Sequence, residues 1–286
     1  MNPNVTTFFD PRTSSLTYVV AEPDGPACAI IDSVLDYDAP SGHTATESAD
    51  KLIAFVEAEG LKVAWILDTH THADHMTAMA YLKDRFGALT GIGAGVAQVQ
   101  GNFVKLYDIA DQVTADGSQF DHLFADNETF MIGAMQARVM ATPGHTPGCI
   151  TYVIGDAAFI GDTMFMPDSG TARCDFPDGD AAELYASIRR ILELPAETRL
   201  FVCHDYQPNG RELAYEASVA DHRRENIHVN DTIDEAGFVT MRTTRDATLS
   251  APALILPAVQ VNIRAGHVPA PEANGVSYLK IPIDTF

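Results

Sequence analysis

The stretch Thr69-His70-Thr71-His72-Ala73-Asp74-His75 is the most informative part of this 286-residue sequence. Four of its side chains can bind a metal, and they lie within six residues: His70, His72, Asp74 and His75. Side chains alternate along an extended backbone, so two of the histidines can face the same way. Imidazole and carboxylate ligands suit Zn²⁺, Fe²⁺ and Mn²⁺. The stretch therefore predicts a metal site rather than a polar surface loop.

The residues on either side place this stretch at the end of a strand. Val63–Leu67 is a short, continuous apolar run, which is typical of a buried strand. Met76–Phe86 has apolar residues at helical spacing and is followed by Gly87, a common helix stop. The stretch thus connects the carboxyl end of a strand to a helix, where open α/β sheets commonly bind ligands.

Three later segments repeat this arrangement. His145 lies in a tight loop rich in proline and glycine, Thr142–Cys149, which follows a β-like run. Asp162 and His204 each follow a short apolar run. One such residue could be an ordinary turn residue, but four strand ends that each present a ligand type predict one shared metal centre.

The remaining pattern predicts a layered α/β protein. We expect helices at Glu47–Glu59, at Ala181–Leu192 and along the charged segment Arg211–Val229. Predicted strands are Leu16–Glu22, Ala27–Asp32, Glu128–Ile132, Gln136–Ala141, Ile150–Ile154, Ala158–Ile160 and Leu200–Cys203. We expect a catalytic domain over residues 1–250. Residues 251–286 are expected to form a C-terminal extension that packs on this domain or on a partner subunit.

The charge and the apolar pattern narrow the partners and the location. A formal net charge of −21 disfavours nucleic acid and anionic membrane surfaces as partners. Any anionic substrate therefore needs a local basic patch. No apolar run reaches the roughly 18 residues of a membrane helix, and Met1–Asp10 does not resemble a signal peptide. We expect a cytoplasmic protein whose four widely spaced cysteines are reduced.

The order of these motifs resembles the metallo-β-lactamase superfamily. His-x-His-x-Asp-His is followed by Pro-Gly-His, then Gly-Asp, then a single histidine, from about Leu16 to Tyr206. The resemblance implies a four-layer αββα sandwich with its metals at one edge. Within the superfamily, the motifs are most similar to persulfide dioxygenases. The segments that carry this similarity are Thr69–His75, Thr142–Cys149, Arg173–Phe176 and His204–Tyr206, with a bacterial-type tail at Asn262–Gly266 and Tyr278–Pro282.

The resemblance to persulfide dioxygenases implies an activity and an iron site. These enzymes oxidise glutathione persulfide with O2 to sulfite and glutathione. They hold one Fe(II) per subunit with two histidines and one aspartate, which correspond to His70, His145 and Asp162. Three protein ligands leave open positions for oxygen chemistry. His72 is expected close to the iron, whether or not it binds the metal.

The substrate residues are predicted from the same resemblance. We expect Asp162, Tyr206 and His72 to take part in catalysis, and Arg173 to bind a glutathione carboxylate through its planar guanidinium. Tyr206 is also expected to donate a hydrogen bond to the substrate. Further predicted substrate contacts are Thr146 and Cys174, and Arg211 and Lys280 are weaker candidates for a basic contact.

Two other functions stay open at this point. Asp74, His75 and His204 complete the ligand set of a two-metal site, so they form either a second site or hydrogen-bonding residues around the iron. With two zinc ions or a mixed pair of metals, the protein would be a glyoxalase-II-like hydrolase of glutathione thioesters. A metal-binding or sulfur-binding module without catalysis is the third hypothesis. We expect a homo-oligomer.

Gly91–Gly95 lacks the third glycine of a nucleotide-binding loop, so we do not expect a nucleotide site there.

Overall fold

Two six-stranded β-sheets form the middle of the protein in the computed structural model, which describes residues 1–285. The strands are β1 (Asn4–Asp10), β2 (Ser15–Ala21), β3 (Ala27–Ile31), β4 (Val34–Asp38), β5 (His43–Ala45), β6 (Lys62–Leu67), β7 (Met76–Thr77), β8 (Leu89–Gly93), β9 (His122–Phe124), β10 (Thr129–Ile132), β11 (Met135–Ala141), β12 (Ile150–Ile154), β13 (Ala157–Phe159), β14 (Arg199–Phe201) and β15 (Glu216–Ser218). The first sheet has the order β1-β2-β3-β6-β8-β9 and the second runs from β10 to β15 in sequence order. A small third sheet has the order β5-β4-β7.

Helices cover the outer faces of both large sheets. They are α1 (Glu47–Ala58), α2 (Met79–Phe86), α3 (Val96–Tyr107), α4 (Ala181–Ile191), α5 (Val219–Glu225), α6 (Glu235–Asp246) and α7 (Ile255–Asn262). Leu52 of α1 and Leu82 of α2 pack with the first sheet, and Leu184 and Ile188 of α4 pack with the second. The layers are therefore helix, sheet, sheet and helix, which confirms the predicted αββα sandwich.

Strand β2 shows how the sequence builds these layers. All seven of its residues are buried, because both of its faces are covered. Leu16, Tyr18 and Val20 point into the core between the two sheets, and Val19 and Ala21 point into the core under α1 and α2. Alternation along one strand thus contributes to two separate hydrophobic layers.

Five strand ends meet at one edge of the sandwich. In the first sheet β3 and β6 are parallel. In the second sheet β13 and β14 are parallel, and β11 has the same direction because β12 is antiparallel to both β11 and β13. The loops after these five strands contain Asp32, the stretch from His70 to His75, His145, Asp162 and His204. The edge therefore gathers the predicted ligands from distant parts of the chain.

The predicted long helix Arg211–Val229 is wrong, because only Val219–Glu225 is helical. Arg211 is held by an ion pair with the buried carboxylate of Asp205, at 2.7 Å. The chain then forms β15 beside β14, and Ser218 begins α5 with a capping box. The charged pattern predicts helix over the whole segment, but these tertiary contacts hold its first half in an extended form.

Residues 255–263 of the C-terminal region pack on the rest of the protein. Ile255, Val259 and Ile263 join a hydrophobic cluster with Phe103 and Tyr107 of α3, and α7 also contacts β7. Beyond this helix several apolar side chains are exposed, including Ile281 and Ile283. The domain boundary at residue 250 stays a prediction. Within residues 1–285, no helix has the length and apolar character needed to span a membrane.

Candidate metal centre

Seven side chains that can bind a metal converge at the edge of the sandwich where the five strands end. They form two neighbouring groups, and within each group one potential ligand atom per residue lies within 4.8 Å of the others. One group is His70, His145 and Asp162; the other is His72, Asp74, His75 and His204. The structure thus brings together all seven residues that the sequence offers as metal ligands.

His145 and His70 each have one ring nitrogen held by a neighbour. The Nδ1 atom of His145 donates a hydrogen bond to the backbone carbonyl of Arg173, at 2.6 Å. The Nδ1 atom of His70 lies 3.0 Å from Oγ1 of Thr69. That hydroxyl already donates to Asp32, so it accepts from His70. Both rings therefore present Nε2 as the free nitrogen, the state in which imidazole binds a metal.

In His72 the partnered ring nitrogen is Nε2, whereas in His70 and His145 it is Nδ1. The Nε2 atom of His72 lies 3.1 Å from Oδ1 of Asp32, and its Nδ1 atom has no hydrogen-bond partner among the described residues 1–285. Asp32 is buried and also accepts hydrogen bonds from the backbone nitrogen and the hydroxyl of Thr69. The carboxylate of Asp32 therefore holds both His72 and the first residue of the metal-binding loop, Thr69–His75.

Ser15 orients the histidines of the second group. Its hydroxyl lies 3.1 Å from Nδ1 of His75 and 3.4 Å from Nδ1 of His204. Nδ1 of His75 also lies 3.3 Å from Oδ1 of Asp74, and Nε2 of His75 has no hydrogen-bond partner within residues 1–285. Nε2 of His204 lies 3.0 Å from Oδ2 of Asp74.

Asp162 lies between the two groups. Its Oδ2 atom is 3.9 Å from Nε2 of His70 and 3.8 Å from Nε2 of His145. Its Oδ1 atom is 3.3 Å from Nε2 of His204. One carboxylate can therefore serve either group, or both at once.

The donor atoms in this centre fit metal ions. Within residues 1–285, three buried nitrogens of this centre have no hydrogen-bond partner: His70 Nε2, His72 Nδ1 and His75 Nε2. Three more buried atoms face one another, with His204 Nε2 at 3.0 Å from Asp74 Oδ2 and at 3.3 Å from Asp162 Oδ1. An unsatisfied buried polar atom costs about 1–3 kcal/mol, so three unpartnered nitrogens at one place need a common partner. Metal coordination satisfies nitrogen and carboxylate donors of this kind. We conclude that the cluster is a metal-binding site.

Burial and neighbouring groups shift the pKa values of these residues. Burial, followed by repulsion from the other histidines, holds the pKa of His70 and His72 well below the usual value. These rings are therefore neutral at pH 7, as ligands must be. For His204, burial acts in the same direction, but the carboxylates of Asp162 and Asp74 outweigh it and raise the pKa to about 10. The two carboxylates therefore favour the protonated form of His204 when no metal is bound.

A cavity of about 360 Å³ opens above the metal-binding residues. Asp74, His145 and Asp162 lie at its surface, and Phe165 and Phe176 give part of its wall an apolar character. The volume lies within the usual range for small-molecule sites. A small molecule in this cavity would contact residues of both groups.

Two of the predicted substrate residues, Arg173 and Tyr206, lie at the surface of the cavity. Arg173 lines the cavity, but its guanidinium already binds the carboxylate of Asp175 at 2.6 and 2.7 Å and the carbonyl of Ser250 at 2.6 Å. Tyr206 also lines the cavity, with 55% of its surface exposed, and its ring stacks on that of His204. Asp162 and Tyr206 are thus within reach of a bound molecule.

Four other candidates lie away from the cavity surface. Thr146 is buried and its hydroxyl contacts Sγ of Cys149. Cys174 is buried and directs its thiol towards Asp246. Arg211 pairs with Asp168 and Asp205, and Lys280 donates to the carbonyl of Asp108. These arrangements give Thr146, Cys174, Arg211 and Lys280 contacts within the protein.

Three residues that support the metal centre, Asp32, Ser15 and Asn262, are not predicted from the sequence. Asp32 ends the predicted strand Ala27–Asp32, so its position at a strand end is a signal that could have identified it. Ser15 has no such signal. Asn262 belongs to α7, and its side chain donates to the carbonyls of His72 and His75, each at 2.8 Å. It also accepts from the backbone nitrogen of Thr77, at 2.8 Å. A residue near the C-terminal end thus holds the metal-binding loop.

Known proteins resemble this chain at several levels of similarity. A Burkholderia pseudomallei protein named "Probable metallo-hydrolase" is 55% identical and covers 98% of both chains. Glyoxylase B2 of Dictyostelium discoideum is 51% identical over 90% of this chain and 89% of its own. The mitochondrial persulfide dioxygenase ETHE1 of Bos taurus is 29% identical over 69% of this chain and 66% of its own.

A solved structure and a family model complete the comparison. The crystal structure of ETHE1 from Myxococcus xanthus is 28% identical and matches with a TM-score of 0.74, covering 92% of this chain and 100% of that one. The metallo-beta-lactamase superfamily model matches residues 10–204, which contain all seven residues of the metal centre. The αββα layers, the five strand ends and the histidine–aspartate cluster agree with this match, and the chain belongs to the metallo-β-lactamase superfamily.

Proposed function

We propose that this protein is a non-haem iron persulfide dioxygenase that oxidises glutathione persulfide with O2 to sulfite and glutathione. The observation that carries the proposal is the group of His70, His145 and Asp162, two of which lie at the surface of the cavity. Two histidines and one carboxylate are the ligand set of many Fe(II) oxygenases. The match to ETHE1 over that protein's full length supports the same proposal.

The metal and the residues that hold it have different roles in the proposed reaction. Fe(II), when bound by His70, His145 and Asp162, would supply a site for sulfur and the electrons that activate O2. The protein keeps the ligands in place: the carbonyl of Arg173 holds His145, and Thr69 holds His70. Because burial keeps the His70 ring neutral, its Nε2 lone pair is available at pH 7.

The cavity wall suits a persulfide and O2. Phe165, Phe176 and Leu249 give it apolar surface, and such surface excludes water from a reactive sulfur. The hydroxyl of Tyr206 can donate a hydrogen bond to a substrate atom. In this proposal, Tyr206 orients the persulfide, and the aromatic side chains limit competing hydrolysis.

A glyoxalase-II-like thioester hydrolase is the second candidate, and a specific observation favours it. The ligands of a second metal are all present, and Asp162 has one oxygen near each group. The 51% identity with Glyoxylase B2 also supports this candidate. Two bound metals would supply an activated water as the nucleophile. A second metal would take the place of the proton on His204.

Metal content and two substrate assays distinguish these candidates. The protein is purified without added metal and then loaded with Fe(II) or Zn²⁺, and bound metal is counted per chain. O2 uptake is followed with glutathione persulfide, and hydrolysis is followed with S-lactoylglutathione. The proposal predicts O2 uptake and sulfite formation by the iron-loaded protein. Thioester hydrolysis with two metals per chain and no O2 uptake would establish the hydrolase instead.

The assays also test the third hypothesis. A protein that binds metal tightly but turns over neither substrate would be a non-catalytic metal-binding or sulfur-binding module.

The cytoplasmic location and the homo-oligomer stay predictions. Fractionation of cells and light scattering of the purified protein test these two predictions directly.

A further inference from the structure

Three arginines lie on the wall of the cavity above the metal centre: Arg173, Arg242 and Arg245. This concentration of positive charge is unusual in a protein with a formal net charge of −21. A substrate with carboxylates would need at least one of these guanidinium groups free. Their existing partners therefore decide which one can bind substrate.

Arg173 and Arg242 already have carboxylate partners. Arg173 binds Asp175 through two hydrogen bonds. Arg242 is buried and binds Asp246 at 2.8 and 2.5 Å, and it also donates to the carbonyl of Thr171. These two guanidinium groups hold parts of the cavity wall together and have little capacity left for a ligand.

Arg245 has no carboxylate partner within residues 1–285. It lies in the last turn of α6, next to Asp246. Asp246 binds both Arg242 and the backbone nitrogen of Cys174, so this turn is attached firmly to the cavity wall. A rigid backbone thus places an exposed and uncommitted guanidinium at the edge of the cavity.

A second, more open depression begins at the same residue. Arg245 lines this groove together with His228, Thr240 and Thr244. His228 adds no positive charge at neutral pH, because burial lowers its pKa to about 4. A ligand that extends from the metal centre into the groove therefore passes Arg245.

We propose that Arg245 binds a carboxylate of the substrate and thereby selects carboxylate-bearing low-molecular-weight thiols, such as glutathione, over neutral thiols. The inference rests on the proposed function, because it specifies the substrate class of the same cavity. Guanidinium binds a carboxylate through two parallel hydrogen bonds, which fixes orientation as well as affinity. The sulfur end of the substrate then faces Asp162 and His145, and the carboxylate end lies at Arg245.

A binding experiment with unreactive ligands tests this inference. S-methylglutathione and its dimethyl ester are titrated into the iron-loaded protein under argon by calorimetry. The wild type, Arg245→Ala and Arg245→Lys are compared with a control, Arg138→Ala. This control removes an arginine of the second sheet that has no carboxylate partner in the described part of the chain, residues 1–285. Circular dichroism and thermal melting check that each variant is folded.

The inference predicts a defined pattern of affinities. Arg245→Ala is expected to weaken the binding of S-methylglutathione about tenfold or more, as for a lost charge-assisted hydrogen bond. Arg245→Lys should recover part of this loss, and Arg138→Ala should bind like the wild type. The ester should bind the wild type as weakly as S-methylglutathione binds Arg245→Ala, and the variant should not distinguish the two ligands.

Other outcomes overturn the inference. Equal binding by the wild type and Arg245→Ala, or an equal loss on esterification in both, would show that Arg245 contacts no carboxylate. No binding of S-methylglutathione to the wild type would also exclude this substrate class. Failure of the proposed function is distinguishable, because binding that depends on Arg245 without O2 uptake would leave the inference standing and remove only the dioxygenase.

Discussion

At the residue scale, Asp162 has the most central position in the metal site. One of its oxygens faces His70 and His145, and the other faces His204. Burial raises the pKa of this carboxyl, although the nearby histidines oppose the rise. A bound cation would favour the ionised form. The residue is therefore suited to bind a metal, and it is poorly accommodated without one.

The Asp162→Ala variant is expected to lose most of its bound iron, because the iron-binding group then keeps only two histidines. Metal content per chain is measured after purification and iron loading. Asp24→Ala serves as the matched control, since Asp24 is an exposed aspartate. Full iron occupancy in Asp162→Ala would remove this residue from the ligand set.

Asp32 is expected to act through His72 and through the metal-binding loop. The Asp32→Ala variant loses the acceptor for Nε2 of His72 and for the backbone nitrogen of Thr69. Loss of such a supporting carboxylate typically weakens metal binding about 10- to 100-fold. Competition with a chelator measures the affinity. An affinity equal to that of the wild type would show that the carboxylate does not support the centre.

At the element scale, the ends of five strands create the site. A strand followed by a polar loop is a local pattern, so the sequence predicts His70, His145, Asp162 and His204 as residues of one centre. Local periodicity predicts one long helix over Arg211–Val229. The ion pair between Arg211 and Asp205, which prevents this helix, is a tertiary contact that the periodicity does not report. The same holds for Ser15 and Asn262, whose roles depend on tertiary contacts.

Helix α7 supports the metal-binding loop through Asn262. The Asn262→Ala variant leaves the carbonyls of His72 and His75 and the nitrogen of Thr77 without their buried partner. The free energy of unfolding should fall by roughly 2–4 kcal/mol, since each unsatisfied group costs about 1–3 kcal/mol before relaxation.

Urea unfolding of the metal-free protein measures this change for Asn262→Ala, and chelator competition measures the accompanying loss of metal affinity. Asn274→Ala, at an exposed asparagine beyond α7, is the control. If stability and metal affinity both match the wild type, α7 does not support the loop.

At the scale of the whole molecule, the buried His222 and the half-buried His228 are expected to make stability depend on pH. Burial lowers the pKa of His222 to about 4, and that of His228 to about 4. Below pH 6.5 the unfolded chain binds protons at these positions, but the folded protein does not. The free energy of unfolding should therefore fall as the pH is lowered from 6.5 towards 4.

Urea unfolding at several pH values tests this dependence on the metal-free protein. The His222→Gln variant should lose part of the slope between pH 6.5 and 4, and His43→Gln, at an exposed histidine, should keep it. An identical slope in His222→Gln would show that this histidine does not titrate differently in the folded and unfolded states.

The whole fold is more predictable than the number of metals it holds. Strand and helix periodicity predict a layered α/β protein, and the family resemblance carried by the motif order implies the αββα sandwich, which the structure confirms. The metal count depends on whether the second group, in which His204 lies beside the carboxylates of Asp74 and Asp162, binds a metal as well. A motif that contains every ligand cannot reveal it.

A titration of activity against iron content tests whether one Fe(II) per chain supports persulfide oxidation. Metal-free protein receives increasing amounts of Fe(II) under argon, and O2 uptake with glutathione persulfide is recorded at each ratio, together with sulfite. We expect activity to rise in proportion to iron and to reach its plateau at one iron per chain, with one O2 consumed per sulfite formed. A plateau at two metals per chain, or no O2 uptake at any ratio, would contradict this expectation.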